Sequence, residues 1–304
     1  MPVPLPVALV ASIPSPSSNE IVLGPLHLRA YGLMIALGVI AAVEMARRRW
    51  RARGHDPDEI SGMALWAVPA GLIGARLYHV MTDWQRFEGR WIDAVKVWEG
   101  GLGIPGGIAL GALAGVLYAR HKRMPLGDLA DTVAPALPLA QAIGRLGNWF
   151  NQELFGGPTS LPWGLEIDVA HRPDRYLATE TFHPTFLYEG LWNLALMTLL
   201  LLIDRKRVLR PGSLFWVYVG GYFTGRLWVE AMRIDPASLI WGIRVNIWMS
   251  LIAIVFSVTV VAVRGRRRLD DDEVEAGDDP EAGDDPEVES PAGEHAAEVD
   301  EPSV

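Results

Sequence analysis

The sequence contains no cysteine. Disulfides, thiol nucleophiles and thiolate metal ligands are thereby excluded, and any sulfur chemistry must use a partner's sulfur. The seven histidines, at positions 27, 55, 79, 121, 171, 183 and 295, show no His-Glu-x-x-His spacing, so no metal and no other cofactor is expected. The polar insertion at 148–183 has no Gly-x-Ser-x-Gly elbow, which argues against a serine hydrolase. Met1 to Ala11 lack a basic n-region and are not expected to be a cleaved signal peptide.

Basic residues are missing beyond Arg268, where 16 Asp and Glu stand without a single Lys or Arg. The formal net charge of −9 therefore comes from one end, since the chain up to Arg268 holds 27 basic against 20 acidic residues. Those basic residues sit in short clusters rather than along one face, so nucleic acid is not an expected partner. The tail repeats Glu-Ala-Gly-Asp-Asp-Pro at 275–280 and 281–286. It has too little apolar surface to offset ordering entropy, and disorder is expected over 269–304.

Half of the 304 residues are hydrophobic, gathered in runs approaching the roughly 20 residues that cross a hydrocarbon core. The expectation is an all-α polytopic membrane protein: seven transmembrane helices, a small extracytoplasmic cap and a disordered acidic tail. An irregular segment (1–25) leads into a seven-span domain (26–268). The spans are expected at about His27 to Ala46, Ile60 to Met81, Leu102 to Ala119, Leu129 to Leu146, Pro184 to Ile203, Ser213 to Met232 and Val245 to Val263. Gly103, Pro105, Gly106 and Gly107 break the third span early, Pro135 and Pro138 interrupt the fourth, and 148–183 form the cap. With this layout 16 Lys and Arg fall on one side and eight on the other, so the expected topology has the N-terminus out and the C-terminus in.

An arginine inside a span costs about 2.5 to 3.5 kcal/mol on insertion scales and calls for a partner. Arg145 has Asn148, Asn151 and Glu153 close behind it; Arg226 has Tyr222, Glu230 and Arg233 at spacings of four, four and three, on one helical face. Guanidinium beside amide donors is an arrangement for gripping an anion. The plainer readings are an intrahelical Arg226–Glu230 ion pair and a snorkelling Arg145. Arg76, with no acidic neighbour, reads as a snorkelling helix-end arginine. Gly107, Gly111 and Gly115 read as a helix-packing stripe.

The run Gly144-Arg145-Leu146-Gly147-Asn148-Trp149-Phe150-Asn151-Gln152-Glu153 resembles the signature of bacterial prolipoprotein diacylglyceryl transferases. Similar segments follow the family's order: Arg29 to Met34, Gly74 to Leu77, Trp98 to Leu102, His183 to Glu189, and Gly225-Arg226 through Arg233. The resemblance implies a seven-span enzyme that moves the diacylglyceryl group of phosphatidylglycerol onto the lipobox cysteine thiol of a preprolipoprotein signal peptide. It also implies that Arg145 and Arg226 grip the lipid phosphate, with Tyr31, Asn148, Asn151, Glu153, Gly156, Tyr222, Glu230 and Arg233 lining or supporting the site.

One departure from the family pattern stands out. Where the family commonly has a histidine in the third span, this sequence has Pro105. His183 is then the candidate base, which makes the implied catalytic set Arg145, Asn148, Glu153, His183 and Arg226; the alternative for His183 is a polar residue steadying the entry to the fifth span. A transporter is the competing class, but no repeat relates the two halves and seven spans do not divide into equal inverted halves.

Overall fold

A computed structural model describes residues 12–24, 26–97 and 100–264. The acidic tail and the first 11 residues lie outside them. The order is β1 (Glu20–Leu23), β2 (Leu26–Arg29), α1 (Ala30–Ala52), α2 (Pro57–Thr82), α3 (Ile104–His121), α4 (Leu126–Val133), α5 (Ala136–Asn151), β3 (Leu165–Glu166), β4 (Thr181–Phe182), α6 (Thr185–Arg205), α7 (Ser213–Met232), β5 (Leu239–Ile240), β6 (Ile243–Arg244) and α8 (Val245–Arg264). Among the described residues, four helices are long and apolar enough to cross a membrane: α1, α2, α6 and α8. Their outer faces carry large exposed apolar side chains such as Leu65, Met81, Ile252 and Val255, as surfaces that meet lipid rather than water do.

The glycines explain how these helices approach. α2 packs on α3, α1 on α5, α5 on α6, and α7 on both α6 and α8. At the α2/α3 crossing a side chain on Gly106 would collide with the Gly74 carbonyl oxygen, and one on Gly111 would lie 3.2 Å from Ala67 O. The expected break in the third span is absent. Pro105 sits in the first turn of α3, where a missing N–H costs no hydrogen bond. Gly106 and Gly107 let two backbones touch instead of unwinding one.

The prolines of the fourth span do divide it. α4 stops at Val133 and α5 starts at Ala136, after Pro135. α1 differs from its expected span in running through the arginine cluster to Ala52. The arginines continue the helix because they have work along it: Arg49 Nη2 and Arg53 Nη2 reach Asp204 of α6 at 3.1 and 2.7 Å. Asp131 of α4 accepts from the Gly212 amide at 2.8 Å and so caps α7 from another helix.

At the other end lies the cap. α5 continues through Asn148 to Asn151, so the insertion leaves the helix only at Gln152. β3 and β4 pair antiparallel, and Phe155, Leu165, Ile167 and Phe182 form an apolar core against Phe186 of α6. The N-terminal stretch joins it: Ile13 exchanges backbone hydrogen bonds with Gly164 and Glu166, 2.8 and 2.9 Å. Glu20–Leu23, placed by sequence in an irregular segment, pairs with Leu26–Arg29 as a hairpin.

Arg76 is also not a snorkelling residue. It is 7 % exposed and donates to the carbonyls of Asp93, Ala94, Gly100 and Gly101, pinning the loop before α3 onto the end of α2. A guanidinium with five donors can serve four carbonyls at once, and Asp93 O also accepts from the Lys96 amide at 3.2 Å.

Candidate active site

The antiparallel packing brings together the C-terminal ends of α5 and α7 with the N-terminal ends of α1, α6 and α8. Arg145 and Arg226 come from the first two. Between them stands Glu189, on the second turn of α6 and 7 % exposed. Its Oε2 meets Arg145 Nε at 2.6 Å and its Oε1 meets Arg226 Nη1 at 3.4 Å. A single carboxylate thus holds two guanidiniums from different helices side by side, which their mutual repulsion would otherwise oppose.

From Arg145 the network runs into the turn that follows α5. Arg145 Nη1 donates to Asn148 Oδ1 at 3.3 Å, and Asn148 Nδ2 donates to Glu153 Oε1 at 2.8 Å. Asn151 Nδ2 reaches the same Glu153 oxygen at 3.2 Å. Glu153 can fold back only because its neighbours take left-handed backbone: Gln152 has φ 52° and Leu154 φ 60°. Such conformations cost about 1 to 3 kcal/mol each in residues other than glycine and persist where the surroundings enforce them. The surroundings here are visible, since Gln152 Nε2 donates to Asp168 Oδ2 at 2.6 Å and the Asp168 amide returns to Gln152 Oε1 at 2.8 Å.

Arg226 leads in the other direction. Its Nη2 lies 2.7 Å from Glu230 Oε2 one turn on, and Arg233 Nη1 approaches the same oxygen at 3.7 Å. Glu230 is fully buried, and its other oxygen accepts from Arg244 Nε at 2.6 Å and Asn246 Nδ2 at 3.1 Å. Arg233 also forks onto Asp235 at 2.7 and 2.9 Å. Burial works against the charged forms of both partners, but the fork outweighs it, holding the Asp235 carboxyl below its usual value and Arg233 above its own.

The remaining sequence candidates fall around this chain of charges. Tyr31, at the start of α1, packs on Gly147, where any side chain would strike its ring. Tyr222 lines a cavity of about 10 Å³ with Glu189, Trp192, Asn193, Gly225 and Arg226. That is room for about one water, and the buried Asn193 Oδ1 in its wall has no partner among the described residues. Gly156 fastens the cap to α7: its amide donates to His183 O at 2.9 Å, the Gly157 amide to Met232 O at 3.0 Å, and a Cβ on Gly156 would stand 2.8 Å from His183 Cβ.

His183 is not part of the network. Its Nδ1 pairs with Tyr188 Oη at 3.2 Å, and that hydroxyl accepts from Trp163 Nε1 at 3.1 Å. Sequence reasoning passed over Glu189, Arg244 and Asn246. Glu189 had a signal, an acid in the second turn of an apolar run, whereas Arg244 and Asn246 lie 14 and 16 residues from Glu230 and no helical spacing connects them.

The sequence profile of the prolipoprotein diacylglyceryl transferase family matches residues 19–263. A phosphatidylglycerol–prolipoprotein diacylglyceryl transferase from Frankia alni is 52 % identical over 265 residues, 86 % of this chain and 70 % of the relative. Transferase 2 of the same name from Streptomyces coelicolor is 50 % identical over 85 % of this chain and 82 % of its own length. The Cutibacterium acnes relative is 49 % identical over 86 % and 90 %. With a family match over most of its length and relatives at about half identity, this mostly helical membrane protein belongs to the prolipoprotein diacylglyceryl transferase family.

Proposed function

We propose that this chain transfers the diacylglyceryl group of phosphatidylglycerol to the lipobox cysteine of a preprolipoprotein signal peptide. The cysteine sulfur attacks the glycerol carbon of the lipid, the bond from that carbon to the phosphate oxygen breaks, and glycerol 1-phosphate leaves. A thioether remains, and the thiol proton passes to a base or to solvent. No cysteine of the enzyme takes part, in keeping with a sequence that has none.

The observation that carries this reading is the pair of guanidiniums, Arg145 and Arg226, braced by Glu189 from a third helix. The departing phosphodiester monoanion becomes a phosphomonoester approaching a dianion. Donors fixed beside its oxygens stabilise that developing charge more than the bound lipid, which lowers the barrier. They also favour the thiolate: a thiol of pKa near 8.5 is already a few per cent ionised at neutral pH, and nearby cations increase that share. Asn148, Asn151 and Glu153 set the position of Arg145, and Glu230 with Arg233 that of Arg226. Tyr31, Tyr222 and Gly156 form the surrounding wall.

The full layout counts α3, the α4–α5 pair and α7 as spans alongside the four long apolar helices, which makes seven. The N-terminus and the cap then lie outside the cytoplasmic membrane, on the side where the signal peptide emerges, and the C-terminus lies inside.

The test is a purified-protein assay with phosphatidylglycerol vesicles and a synthetic lipobox peptide, following peptide mass gain and glycerol 1-phosphate together. Both products are expected, and both should vanish with a Cys→Ser peptide. Arg145→Lys should lower turnover about 10²- to 10³-fold, because a point charge cannot reproduce the guanidinium fork. Glycerol 1-phosphate release without peptide, or no product from folded protein, would reject the transferase reading.

A further inference from the structure

The carboxylate of Glu230 is divided. Oε2 serves its own helix, meeting Arg226 at 2.7 Å and Arg233 at 3.7 Å. Oε1 faces away, to Arg244 Nε at 2.6 Å and Asn246 Nδ2 at 3.1 Å. Arg244 reaches that oxygen because the β5–β6 hairpin, closed by Leu239 opposite Arg244 and by Val245 N to Ser238 O at 3.0 Å, folds the chain back over the end of α7. Its other nitrogens are fixed too: Nη1 donates to Asp235 O at 2.8 Å and Nη2 lies 3.1 Å from Asp235 Oδ2.

This division matters for Arg226. A lone buried glutamate one turn away would form a tight pair with it and cancel the charge that an anion needs. Glu230 is instead shared among three guanidiniums, and the cations at Arg233 and Arg244 offset part of the negative charge that Arg226 meets. We propose that Arg244 is a positioning residue for lipid binding: by holding the far oxygen of Glu230, it lets that glutamate orient Arg226 without neutralising it. The proposal rests on the phosphate grip assigned to Arg226 above.

Arg244 therefore acts on an anion it does not touch. With Arg244→Gln, one cation is removed while a hydrogen-bond donor stays within reach of Glu230. Arg226 is then left with a more demanding partner, and an anionic phosphodiester competes less well for it.

The experiment is steady-state kinetics of Arg244→Gln, Arg244→Lys and Arg226→Gln with a saturating lipobox peptide and varied phosphatidylglycerol. Arg244→Gln should raise KM for phosphatidylglycerol about tenfold, with a fall in kcat of no more than the same size, since Arg226 holds the phosphate in the bound lipid and more strongly as it departs. Arg244→Lys keeps the charge and should hold KM within about threefold. An unchanged KM in Arg244→Gln, a loss confined to kcat or to the folded fraction, or a tenfold KM rise in Arg244→Lys would overturn the proposal; the lysine variant decides the matter even if the glutamine variant does not fold. Arg226→Gln separates the two levels. If it leaves KM unchanged, the phosphate grip itself fails, whereas a KM rise there with none in Arg244→Gln removes only the role of Arg244.

Discussion

Two residues carry the sharpest predictions at the scale of single side chains. Glu189 is the counter-charge common to Arg145 and Arg226, and breaking a buried ion pair by removing one partner costs about 3 to 5 kcal/mol. Glu189→Gln should therefore lower the melting temperature in detergent and reduce transfer at least tenfold, as the two guanidiniums move apart. Parent-like turnover in a stable Glu189→Gln protein would remove it from the site. His183, by contrast, is bound to Tyr188 and to no member of the charged network. A general base typically contributes about 10² to 10⁴ in rate, so His183→Ala distinguishes the roles cleanly. Retention of a tenth or more of parent turnover is the expected result, given its partners, and a hundredfold loss would mark it as the base.

The residues also show why part of the site was legible and part was not. Arg226 and Glu230 belong to one helix, so their spacing alone predicted the 2.7 Å pair that forms. Arg145, Asn148 and Glu153 are near in sequence, and the turn that joins them is short. Glu189 and Arg244 enter only when α6 and the β5–β6 hairpin fold against these segments. Arg76 was misread for the same reason: its partners are carbonyls 17 to 25 residues away, and backbone oxygens leave no mark in a sequence.

At the scale of elements, hydropathy located the helices well because an apolar run and its charged ends are local features. α7 spans Ser213–Met232, the range expected from sequence. The error at the start of α3 came from treating glycine and proline as breakers without regard to place. In the first turn proline is neutral, and at a crossing glycine is the residue that permits contact. Gly106→Leu tests this. Its Cβ would overlap the Gly74 carbonyl, a backbone atom that cannot rotate away, and overpacking of a close contact costs about 1 to 3 kcal/mol or more. The variant should melt lower, and a substitution on the exposed side of α3, such as Ile108→Leu, should not. Equal melting temperatures for Gly106→Leu and the parent would mean that α2 and α3 are not held by this crossing.

At the scale of the molecule, two clusters of buried charge stand out among the described residues. One holds Arg145, Glu189, Arg226 and Glu230; the other holds Arg49, Arg53, Asp204 and Asp131. Tyr31 and Arg49 mark the two ends on α1, 18 residues or about 27 Å apart, close to the thickness of a hydrocarbon core. That spacing suits ends at opposite membrane faces, and from the basic clusters after α1, α3, α6 and α8 we propose that the second end is cytoplasmic. On that proposal the acidic segment after Arg268 is cytoplasmic and takes no part in transfer. Truncation after Arg268 should accordingly leave transfer by purified protein unchanged, and a reporter fused at the same point should remain in the cytoplasm. The two measurements fail independently. An exported reporter would invert the topology while leaving the chemistry in place, whereas a dead truncation with a cytoplasmic reporter would mean that the 16 acidic residues reach the catalytic machinery through the protein rather than across the membrane.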